Sequence, residues 1–68
     1  MEREHLKQYE GLYVTIRLGN GYNYKGVILQ VTKTDVVFQD RLQGKVVMSN
    51  SDVMFIGLAD DDGYMPKI

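Results

Sequence analysis

One stretch of the chain, VTIRLGNGYNYKG (residues 14–26), decides how the sequence folds. Its first part alternates apolar and polar side chains, with apolar residues at positions 14, 16 and 18, which is the period of a half-buried β-strand. The Asn20-Gly21 pair that follows is typical of a tight hairpin turn, because both residues tolerate positive φ. The stretch therefore predicts two antiparallel strands joined by a short turn.

The segment before the hairpin predicts a short helix. Residues 2–10 are good helix formers, and Gly11 is a residue type that commonly ends a helix. Leu6 and Tyr9 are three positions apart and share one helix face. We expect that face to dock on one end of the sheet.

The residues that follow the Asn20-Gly21 turn predict four strand regions. The second strand of the hairpin is expected over 22–31, with Gly26 near its middle, where a glycine usually marks a bulge or a bend. Shorter strands are expected over 36–39, 45–48 and 53–56, the last of them stopping at Gly57. Polar, turn-forming residues separate these regions.

These elements predict a mainly β fold, a small and strongly bent five-stranded antiparallel barrel with a short N-terminal helix. The barrel and helix take up residues 1–58, and an acidic, loosely ordered tail follows over 59–68. The predicted core consists of Val14, Ile16, Leu18, Ile28, Val36, Phe38, Val47, Val53 and Ile56.

The size and composition of the chain favour self-association. A domain of 68 residues buries a small core, and such domains usually gain stability from disulfides, a metal or oligomerisation. The chain has no cysteine and one histidine, His5, so we expect neither disulfides nor a bound metal or other cofactor. No signal peptide or membrane span is visible, and we expect a cytoplasmic protein.

The charge distribution gives weak guidance about partners. The formal net charge is −1, which argues against a basic nucleic-acid-binding protein. Three of the nine acidic residues lie together at 60–62, and residues 1–59 hold seven Lys and Arg against six Asp and Glu. A nucleic-acid site would therefore depend on symmetry or on base stacking.

The deciding stretch resembles the Sm-like superfamily, and within it the spacing is closest to that of bacterial Hfq. The resemblance spans roughly residues 4–57. It includes the strand with alternating apolar residues, the Asn-Gly turn, the bend glycine and the apolar residues that follow it. The later positions that fit are Ile28, Val31, Val36, Phe38, Gly44, Val53 and Ile56.

The resemblance implies an assembly and a ligand. Sm-like proteins form rings of about five to eight subunits through pairing of edge strands, and they bind single-stranded RNA. Hfq-like proteins bind purine-rich RNA on the first two strands, where this chain has Arg17, Tyr22, Asn23 and Lys25. Gln8, on the helix, falls near another position where such proteins contact RNA.

The pore-side ligand motifs depart from the family pattern. Thr32 stands where Sm proteins have an aspartate, followed here by Lys33. Ser49-Asn50-Ser51 replaces the arginine-glycine pair of Sm proteins and the Tyr-Lys-His of Hfq. These residues are further candidates for RNA contacts, but Ser49–Ser51 supplies neither positive charge nor a stacking ring.

Each of these assignments has a simpler structural alternative. Tyr13, Tyr22 and Tyr24 could pack across strand pairs, and both polar segments could be ordinary turns. No nucleophile–base pair, phosphate-binding glycine loop or paired carboxylates are present, so an enzyme and a small-molecule substrate are not expected. The remaining alternative to an RNA-binding ring is a small β-barrel that serves protein assembly and binds no nucleic acid.

Overall fold

The computed structural model describes residues 1–59. Six regular elements and one short 3-10 turn follow each other along the chain. They include the predicted helix and all five predicted strands. In chain order they are α1 (Arg3–Lys7), β1 (Tyr13–Leu18), β2 (Asn23–Val31), β3 (Asp35–Asp40), β4 (Gly44–Ser49), the 3-10 turn (Asn50–Asp52) and β5 (Val53–Leu58).

The five strands form one antiparallel sheet in the order β4-β3-β2-β1-β5. The pairing register shifts between Arg17 and Leu18 in β1 and between Ile28 and Gln30 in β2, and such bulges bend a strand and increase its twist. Within the described residues β4 and β5 are not paired with each other, so the sheet has two open edges.

The core lies on one side of the sheet, and α1 covers part of it. Leu6 of α1 is fully buried and Tyr9 packs against the same cluster, which confirms the predicted docking face of the helix. The buried apolar side chains are Leu6, Val14, Ile16, Ile28, Val31, Val36, Phe38, Met48, Val53 and Ile56. Leu18 is half-buried at its edge.

The predicted position of Val47 in the core is wrong. Its side chain is 60% exposed, whereas Met48 is buried and Val46 is half-buried against the core. The register Val36↔Met48 in the β3–β4 pair sets this alternation. The run Val46-Val47-Met48 is apolar throughout, so its period could not reveal which side faces inward.

Three predicted boundaries also need correction. The helix ends at Lys7, and residues 8–12 form turns and one isolated bridge, between Glu10 and Ile28, before β1 begins. β2 begins at Asn23, which leaves Tyr22 in the hairpin turn. β5 does not stop at Gly57 but continues to Leu58, because Gly57 is paired with Thr15.

The predicted acidic tail lies outside the described residues except for Ala59, whose amide donates to the carbonyl of Tyr13. Among residues 1–59, no helix has the length and apolar character needed to cross a membrane.

Gly26 permits the closest approach between β2 and β3. A Cβ built on Gly26 would overlap the carbonyl oxygen of Gln39 and lie 3.1 Å from the Cα of Asp40. These neighbours are backbone atoms of the adjacent strand, so a side chain at position 26 requires the two strands to separate.

Gly26→Ala is therefore expected to lower the free energy of unfolding by about 3 kcal/mol or more. Urea denaturation followed by circular dichroism measures this. Gly19→Ala is the matched control, because its Cβ would make an ordinary 3.5 Å contact with Met54. Equal stability of the two variants would contradict the role given to Gly26.

Candidate functional site

The first two strands present a polar face on the side opposite the core. Val14 and Ile16 of β1 are buried on the core side. Thr15 and Arg17 alternate with them and therefore project from the opposite side of the strand. The register pairs Arg17 with Asn23 and Thr15 with Lys25. We call this surface the β1–β2 face.

Arg17 is fixed on this face by its cross-strand neighbour. Its Nε donates to Oδ1 of Asn23 at 3.3 Å, and both side chains are exposed. Three of the predicted RNA-binding residues, Arg17, Asn23 and Lys25, are thus brought together by one strand pair. These positions were indicated by the resemblance to Hfq-like proteins.

The charge of this surface differs from that of the whole chain. Strands β1, β2 and β5 contain two charged residues, Arg17 and Lys25, and both are positive. The acidic residues of the sheet, Asp35 and Asp40, are both on β3. The charged residues of the three adjacent strands β2-β1-β5 are therefore both positive, although the chain has a net charge of −1.

A cleft of about 380 Å³ lies between the β1–β2 face and the turn that joins β3 to β4. The turn is held by Asp40, which is buried and whose Oδ2 accepts from the amides of Leu42 and Gln43, each at 2.9 Å. The cleft is lined by Thr15, Arg17, Tyr22, Asn23, Tyr24, Lys25, Asp40, Arg41, Leu42 and Gln43.

All three residues of the turn, Arg41, Leu42 and Gln43, line the cleft, and the sequence did not indicate any of them. The amide of Arg41 donates to the carbonyl of Lys25 at 3.0 Å, and Nε2 of Gln43 donates to the hydroxyl of Tyr22 at 3.3 Å. The β2–β3 register brings them there. Their sequence segment has no periodicity, and the pairing of Gly26 with Asp40 that brings them to the cleft is a contact between distant segments that the sequence does not reveal.

Tyr22 stands at the rim of the cleft with half of its side chain exposed. Its ring meets Tyr24 edge to face, with centroids 4.9 Å apart, and Tyr24 in turn meets Phe38 at 6.1 Å. The structural role predicted for tyrosines thus applies to Tyr24, which packs against the core. Tyr22 is both packed and accessible, since its ring contacts Tyr24 on one side and is exposed to solvent on the other.

The predicted residues Thr32, Lys33 and Ser49–Ser51 form a second group, which lies at the other end of β2. The backbone of Asn50 in the 3-10 turn donates to the carbonyl of Thr34 at 2.9 Å, and its Nδ2 donates to the carbonyls of Thr32 and Lys33 at 3.4 and 3.3 Å. Asn50 is buried, and its Oδ1 has no hydrogen-bond partner among the described residues. The buried Asn50 thus links the 3-10 turn to the loop between β2 and β3.

The remaining members of this group have mixed environments. The hydroxyl of Thr32 bonds to the backbone of Asp35, and the hydroxyls of Ser49 and Ser51 bond to each other at 2.9 Å, so these side chains stabilise their own turns. Lys33 is exposed. Gln8 is exposed after the end of α1, and the structure does not join it to either group.

Among residues 1–59, no three His, Cys, Asp or Glu side chains are grouped so that they could hold a metal ion.

No protein-family model, curated protein or solved structure matches this chain. The assignment of a function therefore depends on the sequence pattern and on the geometry of the two groups.

Asn50→Ala is expected to lower the free energy of unfolding by about 1–3 kcal/mol, because it leaves the carbonyls of Thr32 and Lys33 without their donor. Urea denaturation again provides the measurement. Lys33→Ala, at an exposed position of one of the loops that Asn50 joins, is the control and should change stability by less than about 0.5 kcal/mol. If both variants were as stable as the unaltered chain, Asn50 would not be the link between the loops.

Proposed function

We propose that this chain is an Sm-like subunit whose copies join edge to edge into a ring, and that the ring binds single-stranded RNA without catalysing a reaction. The observation that carries the proposal is the positively charged β1–β2 face with Tyr22 at the rim of its cleft. In this proposal the protein is cytoplasmic, and the bent sheet corresponds to the Sm-like barrel.

The two sheet edges support the proposed assembly. An unpaired edge strand is a template for another strand, and proteins normally cover or charge such edges. Here both edge strands carry exposed apolar side chains, with Val47 on β4 and Leu58 on β5 exposed by 60% and 71%. Pairing β4 of one copy with β5 of the next is head-to-tail, and such contacts produce a ring when the rotation closes.

The chemistry of the β1–β2 face supports RNA as the ligand. Arg17 and Lys25 supply positive charge for phosphates, Asn23 supplies an amide, and the exposed side of Tyr22 can stack on a base. One copy offers few contacts. In a ring the same contacts recur in every subunit, so a strand long enough to reach several of them gains affinity through multivalency.

The oligomeric state tests the proposed ring directly. Light scattering after size exclusion should give one mass of about five to eight subunits that does not change between low and high salt. Val47→Lys should reduce this mass, because it places a charge on an apolar edge. Leu42→Lys is the matched control, since Leu42 is 83% exposed but lies on the β3–β4 turn. A monomer at all concentrations would contradict the ring.

RNA binding is tested by anisotropy of a labelled oligoadenylate. Tyr22→Ala combined with Lys25→Ala should weaken binding about tenfold or more, because a base stack is worth about 1–3 kcal/mol and a phosphate contact is lost with it. The dependence of affinity on salt should also become less steep. The control Lys45→Ala removes an equal charge from an exposed position on β4 and should have a smaller effect.

The possible failures of this test have different meanings. If the double variant binds as well as the unaltered protein, the β1–β2 face is not the binding surface. If an assembled ring binds no oligonucleotide at low salt, the protein is instead an assembly module without a nucleic-acid ligand.

A further inference from the structure

Phe55 is a half-exposed aromatic residue that the site described above does not include. It lies on β5, where it is paired with Arg17 of β1, and 50% of its side chain is exposed. The guanidinium carbon of Arg17 is 5.8 Å from the centroid of the Phe55 ring, within the range of a cation–π contact.

Gly57 provides the space that this ring uses. A Cβ built on Gly57 would lie 3.2 Å from Cζ and 3.5 Å from Cε2 of Phe55, so the tip of the ring lies beside the glycine two positions along its own strand. Residues two apart on a strand share a face. The missing side chain at position 57 thus lets the ring extend along β5 on the side that also bears Arg17.

Arg17 connects this ring to the cleft. Its Nε is bonded to Asn23, so the guanidinium is held between β5 on one side and β2 on the other. Neighbouring strands are about 4.8 Å apart, which places Phe55 and the Asn23 end of the cleft about 10 Å from each other across the sheet. Adjoining nucleotides of an extended single strand can span this separation.

We propose that Phe55, together with the Arg17 guanidinium, is a second base-stacking site, so that a bound single strand crosses the sheet from the Tyr22 cleft on β2 to β5. This inference rests on the proposed function and adds a path and a second contact to it. The ligand at this site is one nucleotide of the RNA, with a flat, uncharged base joined through its sugar to a phosphate. The ring of Phe55 suits the base, and the positive charges of Arg17 and Lys25 suit the phosphate.

Pairing of a second copy with β5 does not by itself cover this site. Hydrogen bonds between strands lie in the plane of the sheet, whereas side chains project from its two faces. A neighbouring β4 strand would extend the sheet beyond β5 and leave the surface above Phe55 and Arg17 open to a ligand.

The test measures binding of labelled oligoadenylate to Phe55→Leu and Phe55→Tyr. Phe55→Leu keeps an apolar side chain but removes the ring, and it should weaken binding about 5- to 100-fold, the equivalent of one base–aromatic stack. Phe55→Tyr keeps the ring and should bind within about twofold of the unaltered protein. Met54→Leu, at an exposed neighbouring position, is the matched control and should also bind normally.

A probe without bases separates stacking from charge. Inorganic polyphosphate should bind Phe55→Leu and the unaltered protein equally well, because it contacts only the cations. Gly57→Ala should displace the ring and weaken oligoadenylate binding, but it should cause no further loss when added to Phe55→Leu. Such non-additivity is expected only if position 57 acts through the ring.

The outcomes distinguish this inference from the proposed function. If Tyr22→Ala weakens oligoadenylate binding and Phe55→Leu does not, the second site is overturned while the RNA-binding face stands. If Phe55→Leu lowers the mass in light scattering, the ring of Phe55 is a contact between copies and the stacking site is overturned. If the unaltered protein binds no oligoadenylate, the proposed function itself fails.

Discussion

The arrangement of this small sheet depends on the close approach of β2 and β3 at Gly26. With no side chain at that position, the backbone of Gln39 and Asp40 can lie where a Cβ would otherwise stand. The resulting register brings Asp40 opposite Gly26, and the carboxylate of Asp40 then organises the turn that forms one wall of the cleft. The same turn meets β2 again through the bond from the Arg41 amide to the Lys25 carbonyl. A backbone constraint inside the sheet thus determines the shape of a polar surface on its outside.

The distribution of charge over the strands is more informative than the net charge. The chain as a whole is slightly acidic, and that value alone argues against a polyanionic ligand. The sheet order, however, places β2, β1 and β5 side by side, and these strands hold no acidic residue. Of the two acids on β3, Asp40 is buried and engaged with backbone amides. The local surface can therefore attract phosphate although the sum over all residues is negative, because screening limits each charge to its surroundings.

Local sequence signals predicted most of the fold and part of the site. The alternation in β1, the Asn-Gly turn and the bend glycine predicted the hairpin. The resemblance to Hfq-like proteins indicated Arg17, Asn23 and Lys25, which the hairpin brings together because they are close in sequence. Contacts between distant segments were not predictable in the same way. Phe55 lies beside Arg17 because β5 pairs with β1 across an interval of about 40 residues, and Arg41 reaches the cleft through the β2–β3 register. The orientation of Val47 was also undetermined, because three consecutive apolar residues carry no period.

In the proposed ring, assembly and RNA binding would share one strand, β5. β5 is an open edge of the sheet, with apolar side chains exposed along it, and it also bears Phe55 beside Arg17. In the proposed ring, the Phe55 site of each copy lies next to β4 of its neighbour, whereas the Tyr22 cleft lies two strands further inside the sheet. A single strand that crosses from cleft to edge therefore ends at the junction between copies. A ligand bound there prefers the assembled state over free subunits whenever it also contacts the neighbour, and mass action then makes ring stability depend on ligand concentration. In this proposal, the open edge of the sheet is therefore also the place where ligand binding and assembly reinforce each other.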